Sequence, residues 1–422
     1  MGYHIPESVT EKDSDSKLAG PGTPPRQPGP ATCLYFARAF RDFGDGFVAV
    51  LLAVYLTELG YGAFEVGIVA TAALLGSALM TLGIGFIGTR YAERTILMVA
   101  SALMVATGIA FATAQSYSVL LLVAFVGTIN PSAGSVSIFV PLEHALLAGA
   151  VTDAGRTRMF AFYGLTGALA AALGSLAAAS PDFLVASGWM RLDALRAMFM
   201  IYALLGIAGG LCYRLVPRTA AHHQAAPRSP LGPSRGIVYR LAALFSIDAF
   251  AGGFAVQSLL ALWLFTKFGL SLSTAGAFFF WSGLLAAFSF PAAAWLARHI
   301  GLINTMAYTH IPSSLCLIAA ALVPNLELAL ALLLVRAALS QMDVPTRSSY
   351  VMAVVTPPER AAAASVTSVP RSLAAAASPA IAGALFASGL TAWPFIICGV
   401  LKIAYDLALL WSFRHIKAPE EK

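Results

Sequence analysis

The sequence predicts an all-α membrane protein with twelve transmembrane helices in two pseudo-symmetric six-helix bundles. Three observations predict this fold. The chain is 59% hydrophobic and only 11% charged, its apolar residues form long runs separated by short polar gaps, and its longest internal polar gap divides those runs evenly. A helix needs about 20 apolar residues to cross a bilayer, and the runs reach that length.

The composition excludes a water-soluble fold, because soluble domains carry about 25% charged residues. The net charge of +6 does not indicate a nucleic-acid partner, since the basic residues lie in the short gaps between apolar runs rather than on one polar domain. Four cysteines lie far apart without metal-site spacing, so we expect no metal and no cofactor.

The apolar runs place twelve spans along the chain, each long enough to cross a bilayer. Pro and Gly inside them are tolerated when neighbouring helices satisfy the freed backbone groups. The spans are predicted at 34–59, 64–88, 95–114, 118–148, 157–180, 194–215, 237–265, 273–297, 302–323, 326–355, 360–388 and 391–413.

The distribution of Lys and Arg predicts the orientation. One set of alternate gaps, with the C-terminal tail, contains thirteen basic residues, whereas the other contains only Arg191, Arg196 and Lys267. Cytoplasmic loops carry the excess of basic residues, so we expect the first set and both termini in the cytoplasm. We expect a monomer in the plasma (inner) membrane, surrounded by the lipid bilayer.

The domain organisation follows from the polar segments. The N-terminal segment is rich in Pro and Gly and has no apolar signal-peptide core, and the central gap is rich in Pro, Ala and basic residues. We predict a disordered cytoplasmic tail, a six-helix bundle, a cytoplasmic linker, a second six-helix bundle and a cytoplasmic tail, at 1–33, 34–215, 216–236, 237–414 and 415–422 respectively.

The two halves also share short sequence matches in the same order. Gly46-Phe47 in span 1 corresponds to Gly253-Phe254 in span 7, at an offset of 207 residues. Pro141-Leu142-Glu143 in span 4 corresponds to Pro345-Thr346-Arg347 in span 10, at an offset of 204. Such ordered matches indicate two parallel repeats.

The gap between spans 2 and 3 carries a family signature. It runs from Gly85 to Arg94, and it matches the pattern Gly-x-x-x-Asp-Arg-x-Gly plus basic residues at Gly85, Arg90 and Arg94. Thr89 replaces the Asp and Ala92 the second Gly. With its six plus six spans, the chain resembles the major facilitator superfamily. The resemblance implies alternating access, with substrate bound between the halves and spans 1, 4, 7 and 10 lining the cavity.

Within that superfamily the chain resembles the drug–proton antiporters. Their span 5 motif, Gly-Pro-x-x-Gly-Gly, is represented here only by Gly164, Gly167 and Gly174, without the Pro. A partial match, Ser378-Pro379-Ala380-Ile381-Ala382-Gly383, lies in span 11.

Charged residues inside the spans are the best evidence for a site, because a charge at the bilayer centre costs about 3 kcal/mol on insertion scales. Most of them fall on the four spans that the resemblance places around the cavity. Asp248 lies eleven residues past Ile237, near mid-membrane, with no basic residue within one helical turn. A carboxylate of this kind is either protonated or paired with another span. We predict that Asp248 and Asp45 carry the coupling proton.

The remaining polar groups of these spans are assigned to substrate and gate. For the substrate cavity we predict Asp42, Asn130, Gln257 and Arg336. Asp42 has an alternative role as partner of an Arg one turn away, and Arg336 is either an anion-binding group or the partner of Asp248. Lys402 and Asp406, four residues apart in span 12, are expected to neutralise each other.

For a cytoplasmic gate we predict Arg90, Glu143, Asp343 and Arg347. Glu143 and Arg347 occupy matching places in the two halves and carry opposite charge. We expect them to pair when the protein is open to the outside.

These features favour a secondary active transporter that exports a small organic solute in exchange for protons. The alternative is a proton-coupled or facilitative importer of a nutrient or organic anion. A non-transporting receptor or an intramembrane enzyme is less well supported. The sequence has no Gly-x-Ser-x-Gly, His-Glu-x-x-His or Walker motif, so we expect no enzyme activity.

Overall fold

The computed structural model describes residues 30–87, 91–132, 137–149, 153–216 and 231–414. The described residues form sixteen α-helices and one 3₁₀ turn, Pro357–Glu359. The helices are α1 (Pro30–Glu58), α2 (Ala63–Ile87), α3 (Glu93–Thr113), α4 (Tyr117–Val126), α5 (Phe139–Gly149), α6 (Asp153–Ala177), α7 (Ser180–Ala186), α8 (Arg191–Leu215), α9 (Arg235–Gly253), α10 (Gln257–Phe268), α11 (Leu272–Ile300), α12 (Leu302–Leu322), α13 (Leu326–Ser340), α14 (Asp343–Val354), α15 (Arg360–Ala387) and α16 (Trp393–Phe413).

These helices make twelve membrane spans, which confirms the predicted fold class. Spans 4, 7 and 10 are each divided into two helices, α4–α5, α9–α10 and α13–α14, and the short helix α7 follows span 5. The largest shifts from the predicted boundaries are at the starts of spans 1 and 5, predicted at 34 and 157 and observed at Pro30 and Asp153.

Ten helical segments of the described residues are long and apolar enough to cross a membrane. The other two spans are exceptions for physical reasons. Span 1 carries four charged residues between positions 38 and 45, all buried inside the protein rather than exposed to lipid. Span 4 consists of two helices of 10 and 11 residues, each too short to cross alone.

The break in span 4 contains Pro131, whose missing backbone N–H prevents a continuous helix. The Pro131 carbonyl accepts a hydrogen bond of 3.0 Å from the backbone N–H of Ser258, which lies just after the break in span 7. The two breaks therefore satisfy each other's backbone groups across the two halves of the chain, as interrupted membrane helices require.

The apolar cores show how the two bundles are joined. We call the side on which α1 begins and α16 ends the termini side, and the opposite side the far side. A large core on the far side contains residues of both bundles. On the termini side, a core around Phe139 and Tyr213 contains no residue after Val216, and a core around Tyr350 contains none before Leu231. Within the described part of the chain, the bundles therefore share a core on the far side only, and the protein is open toward the termini side.

Close helix packing seals the far side. A Cβ atom at Gly67 in span 2 would collide with the Pro379 carbonyl and the Gly383 Cα of span 11. Small residues allow membrane helices to approach at backbone distance in this way. On the same side of the protein, the Asp182 carboxylate of α7 accepts hydrogen bonds from the backbone N–H and the hydroxyl of Ser273 in span 8, both 2.9 Å long. We call the contacts between the two bundles on this side the far-side seam.

Replacing Gly67 with Leu is expected to open the far-side seam. The added side chain has no space against the span 11 backbone, and overpacking costs about 1–3 kcal/mol. A difference of that size shifts a two-state population by roughly 5- to 150-fold. Pulsed electron paramagnetic resonance between spin labels at the far ends of spans 2 and 11 should show longer distances.

The matched control for this substitution is Gly83→Leu on the same helix, because nothing lies within 4 Å of a Cβ atom at Gly83. It should leave the label distances unchanged. Equal distances in Gly67→Leu, Gly83→Leu and the wild type would show that the seam tolerates the extra volume.

The described end of the central linker is held by Glu359 in the turn between spans 10 and 11. Its carboxylate accepts hydrogen bonds from the Gly232 N–H, from the Ser234 hydroxyl at 2.6 Å and from the Thr356 hydroxyl at 2.5 Å. The side-chain hydrogen bonds from Ser234 and Thr356 lower the pKa of Glu359 to about 2. The linker therefore enters span 7 along a path fixed by the second bundle.

Candidate functional site in the membrane interior

The charged residues of span 1 belong to a cluster inside the first bundle. Arg38 contacts Asp42 at 2.5 Å, and Arg41 contacts Asp42 at 3.4 Å and Glu143 of span 4 at 2.9 Å. Glu143 is completely buried. Two cations thus face two carboxylates, and we call these four residues the N-cluster. Asp42, predicted in the substrate cavity, is paired with arginines of its own helix.

Tyrosines of spans 5 and 6 complete the surroundings of Glu143. Its carboxylate accepts hydrogen bonds from the Tyr163 hydroxyl and, at 2.6 Å, from the Tyr213 hydroxyl. Because these helices lie within the first bundle, Glu143 points into that bundle. Buried charges are stable only when paired and hydrogen-bonded, and Glu143 meets both conditions.

Asp248 of span 7 is not an isolated carboxylate. It contacts the Lys402 ammonium at 2.6 Å and the Arg347 guanidinium at 3.3 Å, and Arg347 also pairs with Asp343. Of the two alternatives left open for Asp248, a protonated carboxyl or a pair with another span, the structure shows the pair. The partners come from spans 10 and 12, far away in sequence, which the local search along span 7 could not detect.

The predicted ion pair between Lys402 and Asp406 is not formed, so that prediction is wrong. Lys402 reaches Asp248, while Asp406 contacts the His310 imidazole of span 9 at 3.2 Å. Lys402 and Asp406, one turn apart on span 12, therefore contact different residues. We call the linked set of Asp248, His310, Asp343, Arg347, Lys402 and Asp406 the C-cluster.

The same pair of helices is joined by the same kind of ion pair in each bundle, with the charges reversed. Arg41 of span 1 pairs with Glu143 of span 4, and Asp248 of span 7 pairs with Arg347 of span 10. Positions 41 and 248 differ by 207 residues, and positions 143 and 347 by 204, which are the offsets of the sequence repeat. Extending those offsets to charged positions would have located both pairs from the sequence.

Glu143 and Arg347, the predicted gate pair, are not joined in this conformation. Glu143 is held within the first bundle and Arg347 within the second, and Arg347 is paired with the third gate residue, Asp343. Arg90 lies outside the described residues. A contact between Glu143 and Arg347 in the opposite conformation stays a prediction.

Arg336 of span 10 is half-buried and is not the partner of Asp248. Among the described residues it forms no ion pair, and its carbonyl accepts a 3.3 Å hydrogen bond from the Ser313 hydroxyl. Gln257 lies in the far-side seam, where its amide donates to the Ser175 hydroxyl of the first bundle at 3.3 Å. Of these two predicted cavity residues, Arg336 therefore contacts its own bundle, whereas Gln257 contacts the other bundle.

Asp45 lies outside the ion pairs of span 1. It is 3% exposed, and the Tyr202 hydroxyl of span 6 lies 3.3 Å from its Oδ1 atom. The Asn130 side chain is hydrogen-bonded to the same carboxyl group. The arginines of span 1 are bound to Asp42 and Glu143, and Asp45 forms no ion pair with the described residues. It is the predicted proton carrier whose surroundings best accept a neutral acid.

The sequence matches the profile of the Major Facilitator Superfamily over residues 34–340. The chain belongs to this superfamily. Uncharacterized membrane protein YJR124C of Saccharomyces cerevisiae is 21% identical over 426 residues, which cover 92% of this chain and 95% of the yeast protein. The major facilitator fold and family identify a transporter rather than an enzyme.

Solved transporters of this superfamily share the fold. A bacterial homologue of the human lysosomal transporter Spinster, in an inward-facing and unoccupied conformation, superimposes with a TM-score of 0.73 at 16% identity, covering 94% of this chain and 100% of the homologue. The nucleoside transporter NupG gives a TM-score of 0.74 at 14% identity, covering 91% and 100%.

A surface cavity of about 540 Å³ opens on the termini side of the second bundle. It lies where spans 8 and 9 meet, and exposed Arg298 and His299 line it together with Arg414 at the end of span 12. None of the C-cluster residues lines this cavity. In this major facilitator protein we therefore place the candidate site at the buried polar groups and not in the surface cavity.

Proposed function

We propose that this protein is a proton-coupled secondary transporter that exports a small organic solute by alternating access, with Asp45 as its proton carrier. The observation that carries the proposal is a buried carboxyl that forms no ion pair with the described residues. Burial in a membrane protein disfavours the charged form of a carboxyl, and the nearby cations Arg38 and Arg41 are bound to Asp42 and Glu143 instead.

Tyr202 connects the proton on Asp45 to the break in span 4. Its hydroxyl lies 3.3 Å from Asp45, 3.1 Å from the Thr128 carbonyl and 3.1 Å from the Thr128 hydroxyl. A hydroxyl has one proton to donate. When Asp45 is ionised, Tyr202 donates to the carboxylate. When Asp45 is protonated, the carboxyl donates to Tyr202, and Tyr202 donates to Thr128.

The segment that follows Thr128 reaches the other bundle. Pro131, three residues later, accepts the hydrogen bond from Ser258 at the break in span 7. A change in hydrogen bonding at Thr128 therefore acts on a segment that contacts both bundles. This arrangement supports a coupling in which the proton on Asp45 changes the stability of the contact between the bundles.

The two bundles are proposed to move as rigid bodies about the far-side seam. Each bundle has its own buried ion cluster, and ion pairs that join the first and fourth helices of a bundle keep that bundle together. The termini side carries the excess of basic residues, so we assign it to the cytoplasm. The conformation described above is then inward-facing, ready to receive a solute for export.

A second candidate function rests on Arg336. A half-buried guanidinium without a carboxylate partner among the described residues is suited to an anionic group, and guanidinium binds carboxylate and phosphate bidentately. This arrangement favours an importer of an organic anion, driven by protons or facilitative. The two functions differ in the charge of the solute and in the direction of proton movement.

The test is proton and solute flux in proteoliposomes that contain a pH-sensitive dye and are exposed to a panel of organic cations and anions. For an antiporter, solute that enters the liposome should drive protons out of the liposome. An imposed pH gradient should make the liposomes accumulate the solute. Protons moving with an organic anion would support the second function. Solute flux that is unaffected by a pH gradient or a protonophore would overturn proton coupling.

A further inference from the structure

His310 is a buried imidazole placed between two carboxylates inside the second bundle. It is 3% exposed and lies eight residues into span 9, about 12 Å along a helix that rises ~1.5 Å per residue. Its Nδ1 atom is 3.2 Å from Asp406, and its Nε2 atom is 4.0 Å from Asp248 and 3.3 Å from the Lys402 ammonium.

The position of Lys402 determines the tautomer of His310 in this conformation. A lysine ammonium only donates hydrogen bonds, so Nε2 at 3.3 Å is its acceptor and carries no proton. The ring proton is then on Nδ1, where it donates to Asp406. His310 is therefore a neutral imidazole, with its free lone pair occupied by Lys402.

The imidazole contacts Asp248 of α9 and three residues of α16, Lys402, Tyr405 and Asp406. Through Asp248 it is linked to Arg347 and Asp343 of α14, and Arg371 of α15 interacts with the same three charged groups. On α13, Arg336 lies near Cys398 instead. Three carboxylates, Asp248, Asp343 and Asp406, thus balance three cations, Arg347, Arg371 and Lys402, and the set is electrically neutral when His310 is neutral.

We propose that His310 is a second proton-binding site, in which a proton taken up at Nε2 displaces Lys402 from the imidazole. The acceptor that Lys402 uses is lost on protonation, and the imidazolium repels the ammonium. The imidazolium keeps Asp406 on Nδ1 and has Asp248 within 4.0 Å of Nε2, so both of its N–H groups face carboxylates.

The consequence of this exchange is a change of partner at Asp248. His310 in its protonated form takes over part of the neutralisation of Asp248, and Lys402 loses one of its two contacts. The buried set then carries one surplus positive charge, which is unfavourable away from water. Protonation of His310 therefore favours a conformation that hydrates the set or admits an anionic group. This inference extends the proposed proton coupling to the second bundle.

The direct test is nuclear magnetic resonance of the full chain in lipid nanodiscs with ¹⁵N-labelled histidine. The seven histidines are distinguished by comparing the wild type with His310→Gln. We expect the wild-type His310 to show the Nδ1–H neutral tautomer at high pH and to take up a proton at Nε2 as the pH is lowered. A His310 signal that stays unchanged down to the lowest pH at which the protein is folded, or the opposite tautomer, would overturn the proposal.

Two substitutions test the partners. In Lys402→Met the competing ammonium is gone, so His310 should be protonated to a larger extent at the same pH; in Asp406→Asn it should be protonated to a smaller extent. The matched control is Lys267→Met in the same bundle, because Lys267 binds the Ala321 and Val323 carbonyls away from the C-cluster. Titration of His310 that is the same in Lys402→Met and Lys267→Met would exclude the exchange with Lys402.

This measurement separates the inference from the proposed function. If His310 titrates but solute flux does not depend on the pH gradient, the proton site is retained and proton-coupled transport is overturned. Proton-coupled flux with a His310 that does not titrate would overturn only the second site. The titration itself is read in the wild type, and the histidine signal that differs between Lys402→Met and Lys267→Met identifies His310 independently of His310→Gln.

Discussion

Replacing Asp45 with Asn is expected to abolish solute accumulation driven by a pH gradient, down to the rate of protein-free liposomes. The amide keeps the shape of the side chain and its contact with Tyr202 but cannot take up or release a proton. Exchange of solute in the absence of a gradient should persist, because alternating access itself does not need the titration. Proteoliposomes loaded with labelled solute measure both rates.

The matched control is Asp193→Asn, since the Asp193 side chain is 45% exposed and its ion-pair partner among the described residues is Arg196, three residues later. It should accumulate solute as the wild type does. Accumulation by Asp45→Asn at the wild-type rate would show that Asp45 has a structural role. In Tyr202→Phe the carboxyl remains but the donor to Thr128 is lost, so proton binding and solute movement should become partly uncoupled.

Replacing Glu143 with Gln is expected to destabilise the protein by about 3–5 kcal/mol, the usual result of removing one partner from a buried ion pair. Glu143 is completely buried and accepts hydrogen bonds from Arg41, Tyr163 and Tyr213. The neutral amide leaves the N-cluster with two cations and one carboxylate, so one positive charge in the membrane interior is uncompensated. Thermal unfolding in detergent, at fixed lipid content, measures the loss.

Glu58→Gln is the control for this substitution, because the Glu58 carboxylate is exposed and its contact with Arg191 is 3.3 Å long at the surface. Exposed pairs contribute about 0–1 kcal/mol, so this variant should unfold close to the wild type. The double substitution Arg41→Met with Glu143→Leu should recover much of the stability, since apolar replacements of a buried pair are often neutral. Equal stability of Glu143→Gln and Glu58→Gln would contradict the role of the N-cluster.

The spans could be predicted from the sequence because their signal is local. About 20 consecutive apolar residues suffice to identify a membrane helix, and the helices α1 to α16 follow the predicted spans closely. The break in span 4 was also accessible, since Asn130-Pro131 interrupts the helix. The break after Gly253 contains no Pro, so a single-sequence pattern did not predict it. The break after Ser340 lies just before Pro345, which cannot donate a hydrogen bond to the Gln341 carbonyl, and this local signal was not used.

The partners of the buried charges could not be predicted in the same way. Asp248 and Lys402 are 154 residues apart, and their contact depends on how spans 7 and 12 pack. Local spacing instead suggested a pair between Lys402 and Asp406, which the structure does not form. The charged residues inside the predicted spans did indicate contacts between helices, because a charge inside a membrane helix requires a partner elsewhere in the protein.

The ion clusters have a consequence for the electrical behaviour of the transporter. In the N-cluster, Arg38 and Arg41 balance Asp42 and Glu143, and the charged groups around neutral His310 also sum to zero. Moving one elementary charge through a membrane potential of 100 mV involves about 2.3 kcal/mol. Clusters whose charges cancel contribute almost no gating charge, so the voltage acts on the empty protein through Arg336 and ionised Asp45, which lie outside the clusters. A current recorded during turnover would then report these two groups together with the protons and the charge of the solute.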